Sequence, residues 1–173
     1  VNDNSTDNTE QVLKNFKRDY KNLKILNGKK LPQGWVGKVW ALKQGVDDAN
    51  KRNFEYYLFI DSDIHLDKGV VRKSVNFLED KNLVMFSLMA KLNCKYFWEK
   101  LLIPPFIFFF QKLFPFQRVN DPKDKVSAAA GGFILCKSDI FKQKNWYESI
   151  KNKVIDDCNI AKLLKKKGAI WLG

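Results

Sequence analysis

With 173 residues, 45% of them hydrophobic and 14% aromatic, the chain has the length of one domain and can bury a core, which excludes disorder. Its formal charge of +12 favours a polyanionic partner such as a diphosphate or an anionic headgroup. No zinc-finger, RNP-like or helix-turn-helix pattern accompanies that charge, and Cys94, Cys136 and Cys158 lack metal-ligand spacing, so neither nucleic-acid binding nor structural zinc is expected.

In chain order, Asp7-Asn8-Thr9-Glu10 resembles a capping box, and Val12, Leu13, Phe16 and Tyr20 follow at helical spacing. Residues 23–26 read as a short strand closed by Asn27-Gly28. After the loop Pro32-Gln33-Gly34, residues 36–49 read as a helix with Trp40 turned inward. Residues 55–61 (EYYLFID) form the clearest strand, apolar, β-rich and ending in carboxylates. Residues 68–79 are helical in pattern, and 83–92 read as a buried strand. An aromatic block fills 96–116, and a polar loop runs to Lys125. A small-residue strand over 126–136, a helix over 157–167 capped by Gly168, and a strand over 169–172 complete the chain. Strands alternating with helices predict an α/β fold with a mostly parallel sheet flanked by helices, read as one domain over 1–173. Val1 reads as the end of a strand and Gly173 follows an apolar run, so the domain is expected to be truncated at both ends.

The pair Asp61 and Asp63 stands where the best strand runs out, and open α/β sheets bind ligands beyond the carboxyl ends of their strands. On an extended chain, residues i and i+2 point to the same side. The two carboxylates could then share a divalent cation, Mg²⁺ or Mn²⁺, with coordination sites left for substrate phosphates. His65 would lie on that side as a third ligand if the strand continues. The competing reading is a turn with solvated acids.

The stretch Leu101 to Phe110 (LLIPPFIFFF) is intensely apolar but only ten residues long and interrupted by Pro104-Pro105, so it does not read as a spanning helix. Two readings remain: a core element, or an interfacial segment whose aromatics, flanked by Lys95, Lys100, Lys112 and Arg118, lie at a headgroup boundary.

Several blocks then fall into one order. VNDNSTDNT, LPQGWVGKVWALKQG, FIDSDIHL, SAAAGGFILCKSDIF and VIDDCNIAKLLKKKG resemble the succession of motifs in family 2 glycosyltransferases of the GT-A fold, over nearly the whole chain. The wording GWVGKVWAL, with FWEKLLIPPFIFFFQKLFPF and VNDP, is most similar to members associated with hopanoid biosynthesis. The resemblance implies that Asp3 contacts the uracil or ribose of the donor, with Asn2 standing where an Asp is usual. It implies Lys38 near the donor diphosphate, Asp61 and Asp63 as the metal and donor pair, and Gly131-Gly132 lining the acceptor side. Close strand packing is the competing reading of the glycines. It further implies that Asp156-Asp157 matches a Glu-Asp pair whose second acid is the catalytic base. Local sequence alone favours a helix cap for Asp157, and the order of the motifs reverses that preference.

Such a set would suit an inverting transfer of a sugar from a nucleotide-sugar, a UDP-sugar in the expected case, to an acceptor hydroxyl. Cation and lysine would stabilise the leaving diphosphate, and one carboxylate base would serve a single displacement. The aromatic block and the charge suit a membrane surface and the unpaired cysteines a reducing, cytosolic side; with them the resemblance implies a lipid or polyprenyl-type acceptor at the cytoplasmic face of a bacterial inner membrane. A nucleotidyltransferase-like enzyme and a basic nucleic-acid-binding module are the alternative readings.

Overall fold

The helical recurrence from Val12 to Tyr20 forms α1 (Thr9–Asp19) in the computed structural model, which describes residues 1–143 and 145–173. The expected capping box does not form. Asn8 occupies the N-cap, and Asp7, one residue outside it, accepts from the Thr9 N–H at 3.0 Å instead. Glu10 pairs with Lys14 at 2.7 Å rather than reaching back. The second helix, α2 (Gly37–Ala49), buries Val39 and Val46. Trp40 is half-buried, its indole N–H donating to the Lys29 carbonyl at 2.9 Å. Around these, Phe141, Trp146 and Ile150 are buried, and the rings of Trp35 and Tyr147 meet at 5.2 Å. Residues 1–54 and 141–154 thus make one unit, and residues 55–140 and 155–173 make a second. In the first unit the strand predicted at 23–26 is reduced to a single parallel bridge, Asn2–Asn27.

The second unit holds the sheet: β1 (Tyr56–Ile60), β2 (Met85–Ser87), β3 (Phe133–Lys137) and β4 (Ile170–Leu172), in the order β1-β3-β2-β4. The helices of this unit are α3 (Val70–Asp80), α4 (Phe97–Leu113), α5 (Phe116–Asn120) and α6 (Asp156–Lys165). The α/β class is as expected, but the pairing is not mostly parallel. β3 runs antiparallel to both β1 and β2, and only β2 and β4 pair in parallel. Three strands therefore share one direction, and the single reversed strand, placed between two of them, makes both of its own ladders antiparallel. An apolar run reads the same in either direction, so its pattern carries no information about this.

Period-two alternation divides the sheet into two faces. Phe86, Phe133 and Leu135 join Leu78 of α3 and Leu83 in one buried cluster, with Tyr56, Leu58 and Trp171 packed against it. Met85, Ile134, Cys136, Ile170 and Leu172 alternate with them and are buried too, and α6 packs along β2 and β4. The predicted strand 83–92 shortens to three residues. Past Ser87 only Leu88 and Met89 keep single bonds, to the Phe133 and Gly173 carbonyls, before the chain leaves the sheet. Likewise 126–136 contributes only its last part to β3. The Lys165 ammonium closes the back of this unit, donating to the carbonyls of Arg118 (3.1 Å), Val119 (2.8 Å) and Val126.

The aromatic block forms α4, a helix running through Pro104 and Pro105 in which no residue is buried. The core-element reading is thereby set aside for this chain. Among the described residues no helix is long and apolar enough to cross a membrane.

Candidate functional site

In the first unit, Asp3 follows directly on the parallel bridge, which Asn2 closes by donating its N–H to the Leu26 carbonyl (2.8 Å) and accepting from the Gly28 N–H (2.7 Å). The Asn2 side chain accepts from the Ser5 N–H at 3.2 Å, across a loop in which Asn4 takes the left-handed region at φ 57°. An Asp at position 2 could accept the same bond, so the departure from the usual residue leaves the loop geometry intact. The Asp3 carboxylate is held between two glycines. A Cβ at Gly28 would stand 2.9 Å from Asp3 Oδ1, and one at Gly37 would stand 3.5 Å from Asp3 Oδ2. Gly37 opens α2 and precedes the exposed Lys38, so Asp3 and Lys38, two of the three donor-binding residues named from sequence, both stand at the start of one helix. The third, Asp61, belongs to the second unit.

In the second unit, β1 ends at Ile60 and the chain turns at once: the Asp61 carbonyl accepts from the Ile64 N–H at 3.2 Å. Asp61, Asp63 and His65 are thus not successive same-side residues of an extended strand, because the strand stops before them. Asp61 is half-buried, and Asp63 and His65 are exposed. The turn carries Asp63 and His65 onto the wall of a cleft of about 610 Å³ lined also by Asp67, Lys91, Asn93 and Gly132. This cleft lies where β1 and β2 run out and β3 begins, the position at which a sheet of this class takes its ligands. Gly132 has a steric reason to be glycine: a Cβ there would lie 3.0 Å from Ile64 Cδ1 and 3.5 Å from the Ala90 Cβ. Gly131 precedes it in the turn from Ala130 to Phe133, closed by a 3.2 Å bond.

Asp156 and Asp157 occupy the first turn of α6, behind Ile155 as N-cap. Neither is the N-cap, so the cap reading holds only in part: Asp157 Oδ1 accepts from the Cys158 N–H at 2.7 Å, and both acids lie at the positive end of the helix dipole. Asp156 is buried, with 6% of its surface exposed, and Asp157 is half-buried. Burial first, and then these neighbouring acids, push the Cys158 thiol up to about 11, so at neutral pH it stays protonated and is not a nucleophile.

The structure thus brings Asp63, His65 and Gly132 onto one cleft, and Asp3 next to Gly37 and Lys38 in the other unit. Asp61, Gly131, Asp156 and Asp157 are not among the residues lining that cleft. Among the described residues, no three His, Cys, Asp or Glu side chains are grouped to hold a metal ion. Sequence reading missed Lys91, because 83–92 was read as one strand, and Asn93, because the strand-end rule was applied to β1 and not to β2. It also missed Gly28 and Gly37, whose signal is small residues on both sides of the segment that must face Asp3.

The family model described as Glycosyl transferase family 2 matches residues 1–143. That span includes Asp3, Lys38, Asp61, Asp63, His65, Gly131 and Gly132, and stops before Asp156 and Asp157. No curated protein matches the chain.

Proposed function

Because this chain belongs to glycosyl transferase family 2, we propose that it transfers a sugar with inversion from a UDP-sugar to the hydroxyl of a lipid or lipid-linked acceptor. The observation that carries the reading is the cleft at the ends of β1 and β2, where Asp63 and Gly132, residues of donor-side and acceptor-side motifs, line one space. The lipid part of the reading is supported by the wording shared with hopanoid-associated members and by the exposed aromatic helix α4. Such an acceptor would place the reaction at the cytoplasmic face of a membrane.

In this reading Asp3 binds the uracil or ribose, held in place by Gly28 and Gly37. Lys38 faces the diphosphate and offsets charge that grows as the sugar leaves. Asp61 and Asp63 supply hard oxygen donors, which fit Mg²⁺ or Mn²⁺, since these ions need only one or two carboxylates when phosphate and water complete the shell. A cation held there would neutralise the leaving diphosphate. Three protein ligands are not needed for that, so His65 is left as a cleft-wall residue. Asp157, with Asp156 beside it, takes the proton from the acceptor hydroxyl. That oxygen bonds to the anomeric carbon as the carbon–oxygen bond to the diphosphate breaks, and the electron pair departs with UDP. A base in this role contributes roughly 10²–10⁴-fold to the rate.

The test is UDP release from a panel of UDP-sugars with Mn²⁺ or Mg²⁺, wild type beside Asp63→Asn and Asp157→Asn. Asp157→Asn is expected to lower transfer roughly 10²–10⁴-fold with donor affinity kept. Asp63→Asn is expected to abolish metal stimulation. Transfer unaffected by Asp157→Asn would remove that residue as base, and turnover indifferent to chelator would remove the cation.

A further inference from the structure

α4 presents an unusual surface. Its half-buried residues Glu99, Ile103, Ile107 and Phe110 recur at steps of four, four and three, one stripe turned toward its own chain. Nearly everything else on the helix is apolar and exposed: Trp98 is 67% exposed, Leu102 61%, Phe109 62% and Leu113 71%. An exposed apolar surface of this extent marks a partner.

Three features say which. First, the apolar residues are not confined to one side: Leu102, Phe106, Phe109 and Leu113 recur at steps of four, three and four along one face, and the exposed Phe97, Leu101 and Phe108 lie on another, about 120° round the helix. A flat protein face covers one such side, whereas the headgroup–acyl boundary of a bilayer can take up both. Second, the chain carries +12, so a second copy would bring a second large positive charge, while an anionic surface would be attracted. Lys95, Lys100 and Lys112 are exposed along the helix, and Tyr96 and Trp98 stand at its start, the residue types that favour headgroup depth. Arg118 is committed to Asp124 at 2.7 Å and is not counted among them. Third, seventeen residues span about 25 Å, short of a bilayer core. The prolines also leave the Lys100 and Leu101 carbonyls without their ladder donors, which water at the interface can satisfy and hydrocarbon cannot.

We propose that α4 is an in-plane docking helix for an anionic phospholipid surface, its outward aromatics at the headgroup–acyl boundary and its lysines on the lipid phosphates. What docking serves rests on the lipid-acceptor reading above; the docking itself rests on the surface of α4.

Trp98 is the one exposed tryptophan among the described residues, and so reports on the helix directly. Tryptophan emission and co-sedimentation are measured with vesicles of phosphatidylcholine, with and without phosphatidylglycerol, at low salt. A blue shift on phosphatidylglycerol vesicles is expected, lost in Trp98→Phe. Phe106→Glu with Phe109→Glu is expected to weaken binding more than tenfold, with far-UV circular dichroism as the folding control. Should that variant fail to fold, Lys95→Gln, Lys100→Gln and Lys112→Gln together serve instead, each lysine being worth about fivefold on an anionic surface. Absence of a Trp98 shift, or binding that the glutamates leave unchanged, would overturn the proposal, as would a concentration-dependent shift without lipid, which points to a second copy. If binding fails while donor turnover still depends on Asp63, docking falls alone. If binding holds while no UDP-sugar in the panel is turned over, the transfer reading falls alone.

Discussion

At Gly28 an added Cβ would meet not only Asp3 Oδ1 at 2.9 Å but also the Asn2 carbonyl oxygen and Asp3 Cα, both at 3.1 Å, and a backbone contact cannot swing aside as a side-chain tip can. Gly28→Ala should therefore displace Asp3. We expect UDP affinity, measured by calorimetry, to fall more than tenfold. Gly34→Ala is the matched control: it strains a backbone at φ +80° but meets no atom within 4 Å. It should cost about 1–2 kcal/mol of stability with UDP binding kept. Equal UDP affinity in Gly28→Ala and wild type would dissociate Asp3 from the nucleotide. At this scale the residue types were legible, because carboxylates in a known motif order announce themselves. Their geometry was not: Asp63 reaches the cleft through a turn that begins one residue after β1, and the i, i+2 argument assumed extended chain there.

Among elements, the connection from α6 to β4 is the tightest. A Cβ at Gly168 would stand 2.6 Å from Val84 Cγ1. Val84 is anchored on both sides, donating to the Ala169 carbonyl at 2.8 Å and accepting from the Lys137 N–H at 3.0 Å, and its β-branched side chain has little rotameric freedom. Gly168→Ala should cost about 1–3 kcal/mol in urea unfolding. Val84→Ala in the same chain should recover part of that loss, a coupling that a double-mutant cycle reads directly. Additive losses would mean that the turn relaxes by some other route. Most helices were legible from their period, and β1 from its alternation. The lengths of β2 and β3 were not, because a strand ends where its partners end, and those partners lie at β1 and β4, distant in sequence.

Over the whole molecule, charge sets the response to acid. Bonds from Arg118, Lys24 and Tyr56 hold the carboxyls of Asp124, Asp48 and Glu79 below their ordinary values. A carboxyl lowered by folding adds stability above its unfolded value and loses it as pH falls through the folded one, here below the ordinary carboxylate range. These pairs are exposed and screened, so their loss is modest. Meanwhile the charge climbs from +12 toward the full complement of 31 lysines and arginines plus the single histidine, and self-repulsion dominates. We therefore expect urea midpoints at pH 3.5 to lie well below those at pH 7 and to rise with added salt, the opposite of what broken ion pairs alone would give. By itself the sequence determined the α/β class, the order of motifs and the family they belong to, because those depend on periodicity and residue type, which local chemistry writes into the chain. Tertiary structure alone decided that β3 is reversed between β1 and β2, that Asp63 and Gly132 share a cleft, and that the aromatic block lies exposed. Each of these depends on which distant segments pair and pack, and no local pattern encodes that choice.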